Sequence, residues 1–329
     1  MRKLYFTLFA VVTFSSGLCQ DFHLTQYDAA ALNLNPALTG RFDGQHRVHL
    51  HYRNQWSAIA TRPFTTGLAS YDRAFEKWSF GGQFANFQAG AGRYMVNSLL
   101  ISASYNVALD KSSAHQLSMG IQAGGAQKSL NFNNLTFGNQ YSELNGGGFD
   151  PSIANGEVGG RESFFIPDVN FGMLYYFAEE QHLLNPFVGV SFFHLNRPKE
   201  SFYDQDNRLP VRFVIHGGTK VNLTDRIQLL PKVMFMGEKK AEEITTTLLL
   251  HYYLPNSDAF LLFGPTYRNK DAALFEAGLK YGNFIYRVSY DINTSTLRPA
   301  TNGRGGFELS VTFINKKTNP NPVKTCPIL

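Results

Sequence analysis

Apolar and polar residues alternate with period two along most of this chain, in segments of about ten residues separated by turn-forming residues. Over 116–124, Leu117, Met119, Ile121 and Ala123 alternate with Gln116, Ser118, Gly120, Gln122 and Gly124, which places the apolar groups on one strand face. Val169, Phe171, Met173, Tyr175 and Phe177 repeat the code, as do Ala273, Phe275, Ala277, Leu279 and Tyr281 against Leu274, Glu276, Gly278 and Lys280. Phe307, Leu309, Val311 and Phe313 stand opposite Glu308, Ser310 and Thr312, just ahead of a Lys- and Pro-rich tail that cannot extend a sheet. Segments at 46–53, 64–73, 78–88, 94–106, 185–194, 211–220, 227–236, 243–253, 259–268 and 284–291 bring the expected strands to about fourteen. Pro231 and Pro265 interrupt two of these, each removing a backbone donor.

Alternation suits a soluble sandwich and a membrane barrel alike, and composition separates them. Only 17% of residues are charged and 14% are aromatic, against about 25% charged in ordinary soluble domains. The polar face is built from Ser, Gly, Gln, Asn and Thr, as at Asn97, Ser102, Ser104, Gln116 and Gln122, which fits an enclosed, wet interior better than a bulk surface. Rings gather near the expected strand ends, at Tyr52, Tyr71, Trp78, Tyr105, Tyr252, Tyr253, Tyr281 and Tyr290, where amphipathic groups sit at headgroup level. Downstream of the N-terminus no apolar run reaches the roughly 20 residues of a spanning helix. The expected fold is therefore all-β: a transmembrane antiparallel β-barrel of about fourteen strands over 46–314. It must close on itself, because hydrocarbon offers no partner to a free sheet edge.

The N-terminus carries an export signal: Arg2 and Lys3, an apolar run over 4–14, and small residues before Cys19, giving a signal peptide at 1–19 cut after Cys19. A lipoprotein signal wants a small residue where Leu18 stands. The mature chain then keeps one thiol, Cys326, so neither an internal disulfide nor a cysteine-based metal cluster can form. The net charge of +5 falls when Arg2 and Lys3 leave, and no Lys/Arg block remains to track phosphates, so nucleic acid is not an expected partner. Residues 20–45 form either an external arm or a plug in the lumen, and 315–329 form a C-terminal tail.

The short signatures of zinc hydrolysis, serine hydrolysis and phosphate binding are missing, so no catalytic set and no cofactor are expected. His49 and His51 sit at i and i+2 beside Arg47 and Arg53, a spacing open to a metal but more often used for hydrogen bonding. Asp204 and Asp206 lack the Gly and distal Glu of a calcium loop and read as solvated. Glu242 and Glu243 point to opposite strand faces, as rim charges rather than a paired acid and base. Lumen-facing charges are expected at Arg47, Arg53, Arg212, Lys232, Glu276, Lys280, Arg287, Asp291 and Glu308. Enclosed charges must be paired or hydrated, so these either brace the barrel or line a path and fix a plug.

Several blocks carry a family resemblance: Thr25-Gln26-Tyr27, Leu34-Asn35-Pro36-Ala37-Leu38-Thr39-Gly40, Tyr52-Arg53-Asn54-Gln55-Trp56, and Pro63-Phe64-Thr65-Thr66 through Ser70-Tyr71-Asp72. Leu135-Thr136-Phe137-Gly138, Gly189-Val190-Ser191 with His194-Leu195-Asn196, and Ser289-Tyr290-Asp291 with Ser295 and Leu297 follow in order. Together, over about 20–313, they resemble the PorP/SprF family of outer-membrane proteins. That resemblance implies a non-enzymatic component of the type IX secretion system in the cell outer membrane, lying in the lipid bilayer beside other type IX components. It would help secrete or anchor a large surface protein, such as a gliding adhesin, by binding the cargo's C-terminal domain, with loops 126–166 and 196–210 presenting it. Asn35-Pro36-Ala37 is also similar to the N-terminal element of fatty-acid-transporter-type barrels. On that likeness the alternative is a channel or hydrophobic-solute transporter with these residues in a plug. Architecture alone does not choose between them.

Overall fold

The computed structural model describes residues 22–57, 62–143, 147–154, 156, 160–179, 181–203, 205–239, 241–296, 298–315 and 326–327. The export signal, Asp204, Leu297 and most of the tail lie outside these residues. The strands are β1 (His46–Gln55), β2 (Phe64–Ala74), β3 (Trp78–Ala89), β4 (Tyr94–Ala108), β5 (His115–Ser129), β6 (Tyr141–Ser142), β7 (Gly148–Phe149), β8 (Ser163–Phe177), β9 (Leu184–Phe193), β10 (Arg212–Asn222), β11 (Ile227–Glu238), β12 (Ala241–Leu254), β13 (Ala259–Arg268), β14 (Ala272–Tyr281), β15 (Phe284–Asn293) and β16 (Arg304–Asn315). β6 and β7 form a separate small hairpin, and the other fourteen make one closed antiparallel barrel. At the closing seam His46 faces Asn315 and Gln55 faces Gly306.

Alternation sorts each strand between two environments. In β1, Arg47, His49, His51 and Arg53 are buried, whereas Leu50 is 54% exposed. Ile121 on β5 is 60% exposed and Ile101 on β4 is 68% exposed. Large apolar groups bared on strand after strand form a belt that water would penalise and lipid accepts. Outward-facing aromatic contacts lie at one rim of that belt: Trp78 with Tyr105 at 4.8 Å and Phe284 with Phe313 at 5.1 Å. Tyr52 and Tyr290 also face outward, but from positions inside their strands.

The two barrel ends differ. One carries only short connections, at 75–77, 109–114, 178–183, 223–226, 255–258 and 282–283; the other carries long ones at 56–63, 130–162, 194–211 and 294–303. The long loops are set differently from the expected 126–166 and 196–210. Ala126 and Lys128 stay in register with Ile166 and Phe164, and Leu209 packs on Ala126 and Ile166, so the strands extend into the expected loop.

Pro231 and Pro265 remain within strands β11 and β13, facing outward. Their missing donors show in the ladders. Pairing of β10 with β11 jumps from Gly218/Lys232 to Val221/Leu229, and that of β12 with β13 from Thr247/Thr266 to Leu250/Phe263. A third irregularity lies at β8, whose pairing with β9 covers only 171–176. Beyond it the loop after β9 takes over: Leu195 N donates to Val169 O at 2.9 Å, and Asn196 Nδ2 donates to Pro167 O at 2.8 Å.

Residues 22–45 run through the lumen as a plug, with one α-turn (Ala31–Leu34) and one 3-10 turn (Pro36–Leu38). The lumen is accordingly less polar than the sequence pattern implies. Leu32, Leu34 and Leu38 of the plug are buried in a cluster with Leu174, Tyr176, Phe187 and Val214 of the wall, each buried leucine contributing about 1.5–3 kcal/mol. A plug has an apolar side of its own, so the wall opposite it is packed like a soluble core. Cys326 is buried in this cluster, so that one residue lies in the lumen.

Placing a charge on the lipid face tests the assignment of faces. Ile121→Arg is expected to cost about 2–4 kcal/mol in reversible unfolding from lipid vesicles. Removing the lumenal Thr247 hydroxyl, bonded to Thr266 at 2.9 Å, should cost only about 1 kcal/mol.

Candidate functional site

The plug backbone is irregular and largely buried, so its polar groups need partners other than a ladder. The wall provides them. Ser191 Oγ donates to Leu34 O at 2.8 Å, Ser118 Oγ to Ala37 O at 2.8 Å and Ser104 Oγ to Thr39 O at 2.7 Å. Gln122 Nε2 donates to Leu32 O at 3.3 Å. The small polar residues that alternate along β4, β5 and β9 are thus donors to one buried segment.

Asn35-Pro36-Ala37 rests on a bed of glycines. Asn35 Nδ2 donates to Met173 O at 3.0 Å and to Val190 O at 3.3 Å, while Asn35 Oδ1 accepts from Ala37 N at 2.9 Å. Gly120 lies directly opposite Gly172 in the β5–β8 ladder. A Cβ on Gly172 would come within 1.9 Å of Asn35 Oδ1, and one on Gly120 within 2.4 Å of the Pro36 backbone. Lumen-facing glycines in register on adjacent strands were the sequence signal for this seat, and alternation alone did not separate them from the other small residues.

Two buried ion clusters hold the plug's first turn. In one, Asp28 Oδ2 accepts from Lys232 Nζ at 2.5 Å, and Arg287 Nη2 donates to Asp28 Oδ1 at 2.9 Å and to Glu276 Oε2 at 2.9 Å. Burial alone would raise the Asp28 carboxyl, but the Arg287 and Lys232 charges reverse this and hold it well below the usual carboxylate range. In the other cluster, Thr25 N and Gln26 N donate to the two oxygens of Glu308 at 2.5 and 2.9 Å. Arg53 bonds to Glu308 and, through Nη2, to Asp291 Oδ2 at 3.0 Å, while Arg268 Nη2 reaches the same Asp291 oxygen at 3.2 Å. Arg53 belongs to the first strand and Glu308 to the last, so the plug bridges the closing seam from within.

At the short-turn end Arg47 grips Asp72 with both Nε and Nη2, at 2.8 and 2.7 Å, and Gly40 N donates to Asp72 Oδ2 at 2.7 Å. Asp72 and Asp28 complete the pairs of residues whose lumen position was expected, but neither was singled out from sequence as a lumen charge. Arg212 lies with its Cζ 4.3 Å from the centre of the Phe193 ring, and Lys280 is partly buried on the lumen face of β14. His49 and His51 form a chain: His49 Nδ1 meets Thr312 Oγ1 at 2.8 Å, and His51 Nε2 meets Glu308 Oε2 at 3.0 Å. Among the described residues no group of three or more His, Cys, Asp or Glu is arranged for a metal. Glu243 turns inward, accepting from Thr245 Oγ1 at 3.0 Å, while Glu242 is exposed. Asp206 is solvated, 3.5 Å from Arg208.

Above the plug, at the long-loop end, lies a cavity of about 90 Å³ with Phe22 and Asn33 of the plug, Gln83, Phe87 and Asn170 of the wall, and Leu209 of the 194–211 loop. Gln83 Oε1 is buried there without a hydrogen-bond partner. Two bonds hold the loop over it, His194 Nδ1 with Asp168 Oδ1 at 2.9 Å and Lys128 Nζ to Glu200 Oε1 at 2.6 Å. Phe202 packs edge-on to Phe164 at 4.7 Å.

Asp28→Asn, which weakens the clasp on Lys232 and Arg287, is expected to cost about 3–5 kcal/mol. Because the folded Asp28 pKa is depressed, its contribution is complete above about pH 4 and is lost as pH falls toward the folded value. Unfolding at pH 6 and pH 3 should therefore differ less in the variant than in the wild type. Gly120→Val should unseat the plug rather than the barrel, read as new tryptic cleavage at Arg41 with the heat-modifiable barrel band retained.

Solved structures with a similar fold are β-barrels. The Pseudomonas putida toluene transporter TodX aligns at a TM-score of 0.50 and 10% identity over 88% of this chain and 93% of that chain. The TodX deltaS2S3 mutant monoaromatic hydrocarbon channel aligns at 0.53 and 12% identity over 88% and 94%. At such identity the likeness concerns the fold alone. No curated protein matches the sequence. The family model described as type IX secretion system membrane protein PorP/SprF matches residues 16–313, and the chain belongs to that family.

Proposed function

We propose that this barrel lies in the cell outer membrane and, without catalysing a reaction, holds or presents a protein exported by the type IX system. Outer-membrane barrels keep short turns in the periplasm and long loops outside, which puts the 130–162 and 194–211 loops at the cell surface. The observation that carries the reading is the combination of an occupied lumen and a folded outer platform. The plug is fixed by buried ion pairs, while Tyr141 and Phe149 of the β6–β7 hairpin are about half exposed, at 50% and 53%, beyond the strands where lipid would cover them. Exposed rings on a surface loop suit a protein partner. The partner is an exported surface protein recognised through its C-terminal domain, with other type IX components as neighbours.

A channel or hydrophobic-solute transporter is the competing reading, and the aromatic-lined mouth cavity with its unpartnered Gln83 oxygen favours it. Residues 20–45 as plug, 46–314 as barrel and 1–19 as removed signal serve either reading.

Deleting the hairpin at 141–149 is expected to abolish retention of the exported partner, measured by co-purification, while the heat-modifiable barrel stays in the membrane fraction. Unchanged retention would count against the proposal, and solute uptake by the isolated barrel in liposomes would favour the channel.

A further inference from the structure

The charged groups around the mouth cavity answer one another. His194 Nδ1 lies 2.9 Å from Asp168 Oδ1, and Lys128 Nζ donates to Glu200 Oε1 at 2.6 Å. Arg212 sits over the Phe193 ring, and Glu238 is engaged as well. Two of the wall's amides are also committed: Asn170 Nδ2 donates to Gln122 Oε1 at 3.0 Å, and Asn170 Oδ1 accepts from His194 N at 2.9 Å. Gln83 differs. It is only 4% exposed, yet its Oε1 meets no donor among the described residues. Much of the remaining lining is apolar, with Phe22, Phe87, Val96, Leu100, Ile166 and Leu209 around the same space.

We infer that this cavity binds a small neutral alcohol, whose hydroxyl donates to Gln83 Oε1 while its carbon chain lies against the apolar lining. A buried acceptor without a donor is costly, so the ligand must bring a donor. A hydrocarbon would fill the space and leave the oxygen orphaned. An ether or a carboxylate would set lone pairs against it, and an ammonium ion would enter a site whose carboxylates are already taken, leaving a buried charge unpaired. Water satisfies Gln83 but wets the rings and leucines around it, whereas an alcohol serves both. The volume, about 90 Å³, is smaller than the cavity of about 150 Å³ that holds the six carbons of benzene, which on that scale leaves room for about four or five non-hydrogen atoms. The inference concerns occupancy of the mouth and holds whether the barrel presents a protein or passes a solute.

Saturation-transfer NMR on the folded, heat-modifiable protein in deuterated detergent tests this by titrating n-butanol against its isomer methyl propyl ether, which has the same atoms and no donor. Saturable transfer to n-butanol is expected, with a dissociation constant of about 1 mM, and the ether should bind about ten-fold more weakly or worse. That comparison needs no variant. Gln83→Leu should bring the two isomers to equal affinity, and Val96→Phe, which fills the cavity but keeps Gln83, should abolish saturable transfer to both. Equal affinities on the wild type would overturn the role of Gln83. Absence of saturable n-butanol binding, as for a cavity that holds water only, would overturn the site, and tighter binding of butyrate or butylammonium would overturn a neutral ligand. Binding is read without transport, so a failure of the channel reading in liposomes and a failure of this inference are distinct results.

Discussion

Everything in this structure follows from backbone that must be satisfied where water is scarce. In the wall the answer is a closed ladder, since lipid supplies no donors or acceptors. Inside, the plug cannot join a ladder, and its carbonyls are met one at a time by Ser191, Ser118, Ser104 and Gln122. The same constraint explains the irregularities. Pro231 and Pro265 stand where two ladders skip residues, and the edge of β8 beyond β9 is closed by loop groups rather than left bare.

Charge is organised by the same scarcity. Asp28 sits between Lys232 and Arg287, and Asp72 receives both Arg47 and the Gly40 amide. Such clusters add little net stability over apolar packing but become costly when one member is removed, which makes them good at fixing a single arrangement. Here that arrangement is the position of the plug.

Much of the barrel was legible because its signal is local. Period two assigns each side chain to lipid or lumen, so the inward placement of Arg53, Glu276, Arg287 and Asp291 could be read from neighbours alone. Their partners could not, because Arg287 and Asp28 are separated by 259 residues and nothing local marks one for the other. Leu174 and Tyr176 face inward from the end of β8 where both faces are apolar, over 173–177, so alternation gave no warning of an apolar lumen there. Cys326 escaped for a different reason: nothing in its Pro-rich neighbourhood marks it as a buried residue.

The bridge across the seam bears on how the barrel finds its correct closure. A slip of one residue between the first and last strands would turn Glu308 toward lipid and bring Phe307 or Leu309 inward. Thr25, Gln26, His51 and Arg53 would all lose the carboxylate they share. A misaligned ring would thereby forfeit the plug's bonds to Glu308, a cost that the repetitive hydrogen bonding of the strands does not carry by itself.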